Sequence, residues 1–217
     1  VSRVLDESIK AKPYVIQEPG GRYDLSQIDF DALRERFETG RKRTEAEKLR
    51  GKIHAKMERM VRRNRTRADY RAEYQRLIDA YNTGSANVEE HFSNLLEFAK
   101  QLKEEEKRHI RENLTEEELA VFDILTQPPL NLTEAERKQV KAIARDLLAT
   151  LKREKLVLDW QKRQQYQASV RLTIANMLYD RLPERYTAEL CDRKRDDLYQ
   201  HIYDSYQTAT ENVYATA

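Results

Sequence analysis

The sequence predicts an all-α protein, a helical bundle of about six or seven helices with an irregular N-terminal arm. Three observations carry that prediction. All five glycines lie at or before Gly84, and residues 85–217 contain none. Tight turns between strands favour Gly, Asn or Asp, so a glycine-free run rich in Glu, Lys, Arg, Leu and Ala favours helices. Apolar residues recur at helical spacing, as in Val88, Phe92, Leu95, Leu96, Ala99 and Leu102. Helix starts of the capping-box type also recur: Thr44 with Glu47, Thr115 with Glu118, and Thr133 with Glu136.

Residues 1–25 hold Pro13, Pro19, Gly20 and Gly21 and read as an irregular linker or arm. From Asp29, "FDALRERF" forms a short amphipathic helix that stops at Gly40. A long basic helix then runs from Thr44 to about Tyr81, with a weak point at "RRNRTR" where it can kink, and Gly84 ends it. The next helix starts near Asn87, with Glu90 three residues on. At "LTEEEL" the capping box is joined by Leu114 and Leu119 as a hydrophobic staple, and Pro128-Pro129 closes that helix. Val140, Ile143, Ala144, Leu147, Leu148 and Leu151 mark a strongly amphipathic helix after Thr133. A helix containing Trp160 runs on to about Arg181, and a last one spans about 187–206. The tail "QTATENVYATA" reads as polar and frayed. The organisation expected is an arm (1–25), the long basic helix with its partner helices (26–112), and a C-terminal bundle with its tail (113–217), the last two able to form one domain.

Charged residues make up 36% of the chain, yet the net charge is only +2, so any affinity for nucleic acid must come from a local patch. One cysteine, Cys191, excludes an internal disulfide and a Cys-based metal site, and it points to a reducing, cytoplasmic compartment. No apolar run reaches the length of a membrane span, and no signal peptide opens the chain. A start at Val1 rather than Met suggests a fragment.

Recognisable catalytic chemistry is missing. "RGKIHAK" lacks the second Gly and the Ser/Thr of a phosphate-cradling loop. His54, His91, His109 and His201 are far apart, and only Glu106–His109 matches E-x-x-H. Cys191 reads as a small core residue. The sequence therefore predicts no catalytic, cofactor or metal residue in this chain.

Residues 48–76 carry eleven Lys/Arg against three acids, net +8, and "RMVRRNRTR" groups Arg59, Arg62, Arg63, Arg65 and Arg67. Residues 86–123 carry eleven acids against five bases, net −6. Two readings stay open for the arginines. They are a charge-matching face towards that acidic segment, or a nucleic-acid patch acting through counterion release.

Several phrases in order resemble one family: "FDALRERFETGRKRTEAEKLR", "MVRRNRTRADYRAEYQRLIDAYNTGS", "LTEEELAVFDILTQP", "LTEAERKQVKAIARDLLATLKREKLVLDWQKRQQYQASVRLTI" and "LYQHIYDSY". Together they are similar to the C-terminal helical region of the R subunit of type I restriction enzymes, across about residues 20–210. The resemblance implies a much longer parent with a P-D…(D/E)-x-K nuclease domain and two helicase-like motor domains that use ATP and Mg²⁺ to pull DNA. It implies that this helical region attaches the motor to the methyltransferase core of modification and specificity subunits. None of the nuclease or motor motifs is in this chain. The family phrase often has a basic residue where Gln167 stands here, which leaves Arg163 and Arg171 to carry that charge.

On a continuous helix, Trp160, Gln164, Gln167, Arg171 and Ile174 share a stripe with an aromatic, polar first half. With Arg163 they form the candidate partner interface. Three roles fit Trp160: buried core with its N–H satisfied, interface anchor, or stacking on a base. The functional expectation is an assembly domain whose partners are the modification and specificity subunits and its own motor domains, with DNA reached through the basic helix. The rivals are a stand-alone helical nucleic-acid-binding module and a structural brace for the motor.

Overall fold

A computed structural model describes residues 29–215. The expected arm at 1–25 lies outside the described residues. The fold is all-α, with no strand among the described residues beyond an isolated antiparallel bridge between Tyr206 and Asn212. In chain order the helices are α1 (Phe30–Thr39), α2 (Lys42–Arg63), α3 (Ala68–Asn82), α4 (Val88–Glu106), the single turn α5 (Arg108–Arg111), α6 (Glu116–Thr126), α7 (Glu134–Glu154), α8 (Gln164–Arg181) and α9 (Ala188–Ser205). Two 3-10 turns, Arg65–Arg67 and Trp160–Lys162, interrupt them.

Local sequence explains most boundaries. The Asp29 carboxylate accepts from the Asp31 and Ala32 amides and starts α1. Gly40 follows it because a Cβ there would lie 2.5 Å from the Arg36 carbonyl. Complete capping boxes open α4 (Asn87, Glu90), α6 (Thr115, Glu118) and α7 (Thr133, Glu136). Gly84, at φ +74°, turns the chain after α3 in the left-handed region that glycine tolerates. The expected Thr44 box does not form. Only Arg41 separates Gly40 from α2, so the helix is already under way at Lys42.

The expected long helix from 44 to 81 is two helices. Asn64 is extended (φ −141°, ψ 102°), and its side-chain oxygen accepts from the Thr66 amide to start the 3-10 turn. α3 then folds back antiparallel along α2, with Arg71 on Glu58 and the Tyr74 hydroxyl donating to the Arg50 carbonyl (3.2 Å). α4 runs beside α2 in the same direction, where Lys42 meets Glu89 (3.0 Å) and Phe37 stacks on Phe92 at 3.9 Å. One hydrophobic core fills this group: Leu49, Ile53, Met57, Met60, Phe92, Leu95, Phe98 and Leu102 are all buried in it.

A second core fills the C-terminal half. α6, α7, α8 and α9 pack as successive neighbours, and α9 returns against α6, closing an up-down-up-down four-helix bundle. Leu119, Phe122, Leu125, Ile143, Leu147, Leu151, Val170, Ile174, Leu178, Leu198 and Ile202 line its interior. Through Ala215 the tail is ordered rather than frayed. The Val213 amide donates to Ser205, the Ala209 amide donates to Leu156, and the Tyr214 ring is buried in the same core. Two tyrosines with apolar rings and satisfiable hydroxyls hold a segment whose composition is otherwise polar.

Candidate partner and nucleic-acid surfaces

Between the two cores lies a buried ionic seam. Asn64 donates from Nδ2 to Asp123 Oδ2 (2.7 Å), and both residues are essentially inaccessible. Arg108 forks onto Asp123 through both terminal nitrogens and reaches Glu105 through Nε (2.9 Å). Arg67, 3% exposed, bridges Glu105 (Nε, 2.9 Å) and Glu116. Burial pushes the Asp123 carboxyl up from its ordinary value, against the opposing pull of Arg108 and Asn64. The seam ties the 3-10 turn after α2 to α4, α5 and α6. Sequence reading missed Arg108, Asp123 and Asn64 as a group, because residues 15 to 59 positions apart leave no periodic trace.

The five arginines of "RMVRRNRTR" divide between two environments. Arg67 is consumed by the seam, as a charge-matching reading requires, and Lys56 pairs with Glu106 of α4 in the same way. The other four line an open cleft of about 710 Å³ with Glu58, Val61, Arg71, Asp204, Ser205 and Val213. Arg65 pairs with Asp204 at 3.3 Å, and Arg71 with Glu58 at 2.6 Å. Arg59, Arg62 and Arg63 have no ion pair among the described residues, and the buried Nε–H of Arg63 finds no acceptor there.

Trp160 does not share a helix with Gln164. Asp159 adopts the left-handed region (φ 60°), Trp160–Lys162 form a 3-10 turn, and α8 begins only at Gln164. The single stripe expected from a continuous helix is therefore broken. Trp160 is fully buried, its Nε1–H donates to the Tyr206 carbonyl (3.1 Å), and its ring meets the edges of Tyr199 and Tyr203. It is a core residue and offers no surface to a partner, which corrects its place in the candidate interface. Gln167 and Arg171 converge on Tyr199 instead. Gln167 accepts from the Tyr199 hydroxyl (3.3 Å), and the Arg171 guanidinium lies 4.0 Å from the ring centroid. Arg163 is exposed over Tyr166, and Gln164 is exposed. The signal for Tyr199 was the Tyr199, Tyr203, Tyr206 spacing, one face of a helix.

α8 carries apolar side chains on two sides. Val170, Ile174 and Leu178 face the bundle core, while Leu172 (60% exposed) and Tyr179 (49%) face outwards. Elsewhere, Cys191 is buried, with its thiol pushed up by burial. Lys194, also buried, donates to the Ile124 and Gln127 carbonyls at the end of α6. His201 lies under the Tyr214 hydroxyl, and burial beside Arg65 holds it down to about 4.

Residues 1–207 match the family described as type I restriction enzyme HindI endonuclease subunit-like, C-terminal. The chain is also similar to a protein of Methanocaldococcus jannaschii named as a type I restriction enzyme MjaIXP endonuclease subunit, 25% identical over 130 residues. That alignment covers 60% of this chain and 12% of the relative. No solved structure matches.

Proposed function

This chain belongs to the type I restriction enzyme HindI endonuclease subunit-like C-terminal family, and we propose that it is the assembly domain of a restriction R subunit. In this reading it docks an ATP-dependent DNA translocase and endonuclease to a methyltransferase core of modification and specificity subunits, in the cytoplasm. The motor domains of the same parent chain are its second partner. ATP and Mg²⁺ act elsewhere in the parent. The sequence has no phosphate-cradling loop, and the described residues hold no group of three or more His, Cys, Asp or Glu able to grip a metal. No helix among the described residues is long and apolar enough to cross a membrane.

The observation that supports docking is the outer face of α8. A helix already satisfied by a core on one side has no intramolecular use for an exposed Leu172 on the other, and beside it the half-exposed Tyr179 ring reaches α9 only through its hydroxyl, at Asp192. Tyrosine and arginine are enriched where interfaces concentrate their binding energy, and Arg171 lies exposed on the same helix. The test is co-purification of this chain with the modification and specificity subunits at moderate salt, without DNA. The unaltered chain is expected to be retained. Leu172→Glu combined with Tyr179→Ala should weaken retention by about 2 kcal/mol or more while shifting folding stability by roughly 0.5 kcal/mol at most. Failure of the unaltered chain to co-purify would overturn docking.

A further inference from the structure

The cleft beside the seam is built by elements of both halves of the molecule. Arg59, Arg62 and Arg63 come from the last turns of α2, Arg65 from the 3-10 turn, Arg71 from α3, and Asp204 and Ser205 from the end of α9. Five guanidiniums and two carboxylates share one concavity. The two carboxylates are already taken by Arg65 and Arg71. Three arginines are left facing the same space without a counter-charge among the described residues. An arginine spread over a solvated helix face needs no partner, but like charges gathered in a concavity raise the local potential and concentrate an anion there. The guanidinium fork suits phosphate oxygens in particular.

The lining also narrows the kind of anion. Its only apolar members are Val61 and Val213, so it lacks the aromatic or aliphatic anchor on which protein interfaces concentrate their energy. It holds no aromatic ring on which an unpaired base could stack, which disfavours a single strand. It offers charge and hydrogen-bond donors that suit the outside of a double helix. We propose that this arginine cleft binds the phosphate backbone of duplex DNA without reading its sequence. The choice of DNA rests on the reading of the parent as a DNA endonuclease, whereas the cleft itself does not depend on docking to the methyltransferase core.

The experiment is fluorescence anisotropy of this chain with labelled short duplexes of two unrelated sequences, at salt from roughly 50 to 200 mM. Equal affinity for both duplexes is expected, with log K falling linearly against log salt. Each lost phosphate contact lowers the magnitude of that slope by about 0.9, so Arg59→Gln with Arg62→Gln should reduce it by about 2. Both side chains are exposed and unpaired, and an unchanged melting curve verifies that the double variant folds. Asp204→Asn, which releases Arg65 into the cleft, should tighten binding. Absence of binding at low salt, an unchanged slope in the double variant, or equally strong capture of polyglutamate of matched charge would each overturn the proposal. The last result would assign the cleft to an acidic protein segment instead. The Leu172→Glu, Tyr179→Ala variant should bind DNA normally, and the double arginine variant should still co-purify with the methyltransferase subunits, so the two readings can fail separately.

Discussion

The two cores are closed by different means. In the α1–α4 core the contacts are mostly non-directional: Phe37 on Phe92, methionines 57 and 60, leucines of α2 and α4, and one hydrogen-bonded buried tyrosine, Tyr74. In the α6–α9 core every buried aromatic with a polar atom has a distant acceptor. Trp160 donates to Tyr206, Tyr186 to the Leu125 carbonyl, Tyr199 to Gln167, Tyr206 to Glu117 and Tyr214 to the Arg63 carbonyl. Apolar packing supplies most of the stability in both cores and tolerates exchange of similar volumes. Directional bonds add selection among alternative arrangements, because each donor left without its acceptor carries a penalty. That selection is what holds a 3-10 turn and a polar tail, neither of which has helical periodicity to guide it.

The sharpest way to break this contrast is Trp160→Ala, which removes the largest fully buried side chain and leaves the Tyr206 carbonyl one donor fewer. It should cost about 3–5 kcal/mol of folding stability in urea. A loss under about 1 kcal/mol would mean the C-terminal core does not depend on its anchored aromatics. Next in size is the seam. Asp123→Ala strands Arg108 and Asn64 and should cost about 3 kcal/mol, whereas Arg108→Met with Asp123→Asn, which removes both charges and keeps an acceptor for Asn64, should recover most of that loss. If the double variant is as damaged as the single one, the seam contributes more than mutual neutralisation.

Acid should probe both cores at once. Burial holds His201 at about 4, below its ordinary 6.5, and also lowers His91, which stacks on Tyr81 beneath α3. A histidine whose folded value is depressed binds its proton more readily when the chain is unfolded. Its contribution is therefore intact above 6.5 and is lost as pH falls towards the folded value. His201 alone should lose about 2 kcal/mol between pH 6.5 and about 5. Equilibrium melts of His201→Gln across that window should show a flatter profile, and a profile as steep as that of the unaltered chain would remove this assignment. The smallest effect expected is Met57→Leu in the N-terminal core, below about 1.5 kcal/mol, because that core asks for volume rather than for a bond.

The fold class, the helix starts at Asn87, Thr115 and Thr133, and the stop at Gly84 were legible in sequence because each is written within four residues. The "RRNRTR" weak point was visible too. That it becomes a complete reversal depends on the Asn64–Asp123 bond across 59 positions, which no local pattern announces. The stripe through Trp160 and Gln164 failed for a related reason, although burial with a satisfied N–H was one of the three roles open to Trp160. A helical wheel presumes an unbroken helix, and a left-handed Asp159 removes that premise without altering composition. Of the arginine group, residue type and clustering could be read directly. Which members would meet α4 and which would be left in a cleft followed from the reversal at Asn64, and so could not be read.

The bond from the Tyr214 hydroxyl to the Arg63 carbonyl joins positions 151 apart. As the chain leaves the ribosome, the core of α1–α4 can assemble once Leu102 has emerged, since its buried members all lie between Phe37 and that residue. The last turns of α2 must then wait, with their arginine side exposed, through the synthesis of four more long helices before Tyr214 closes over them. Loop-closure entropy makes that late contact slow but adds little to its equilibrium cost. The cleft takes Asp204, Ser205 and Val213 from the C-terminal half, so it is complete only once that half has been synthesised and has reached α2.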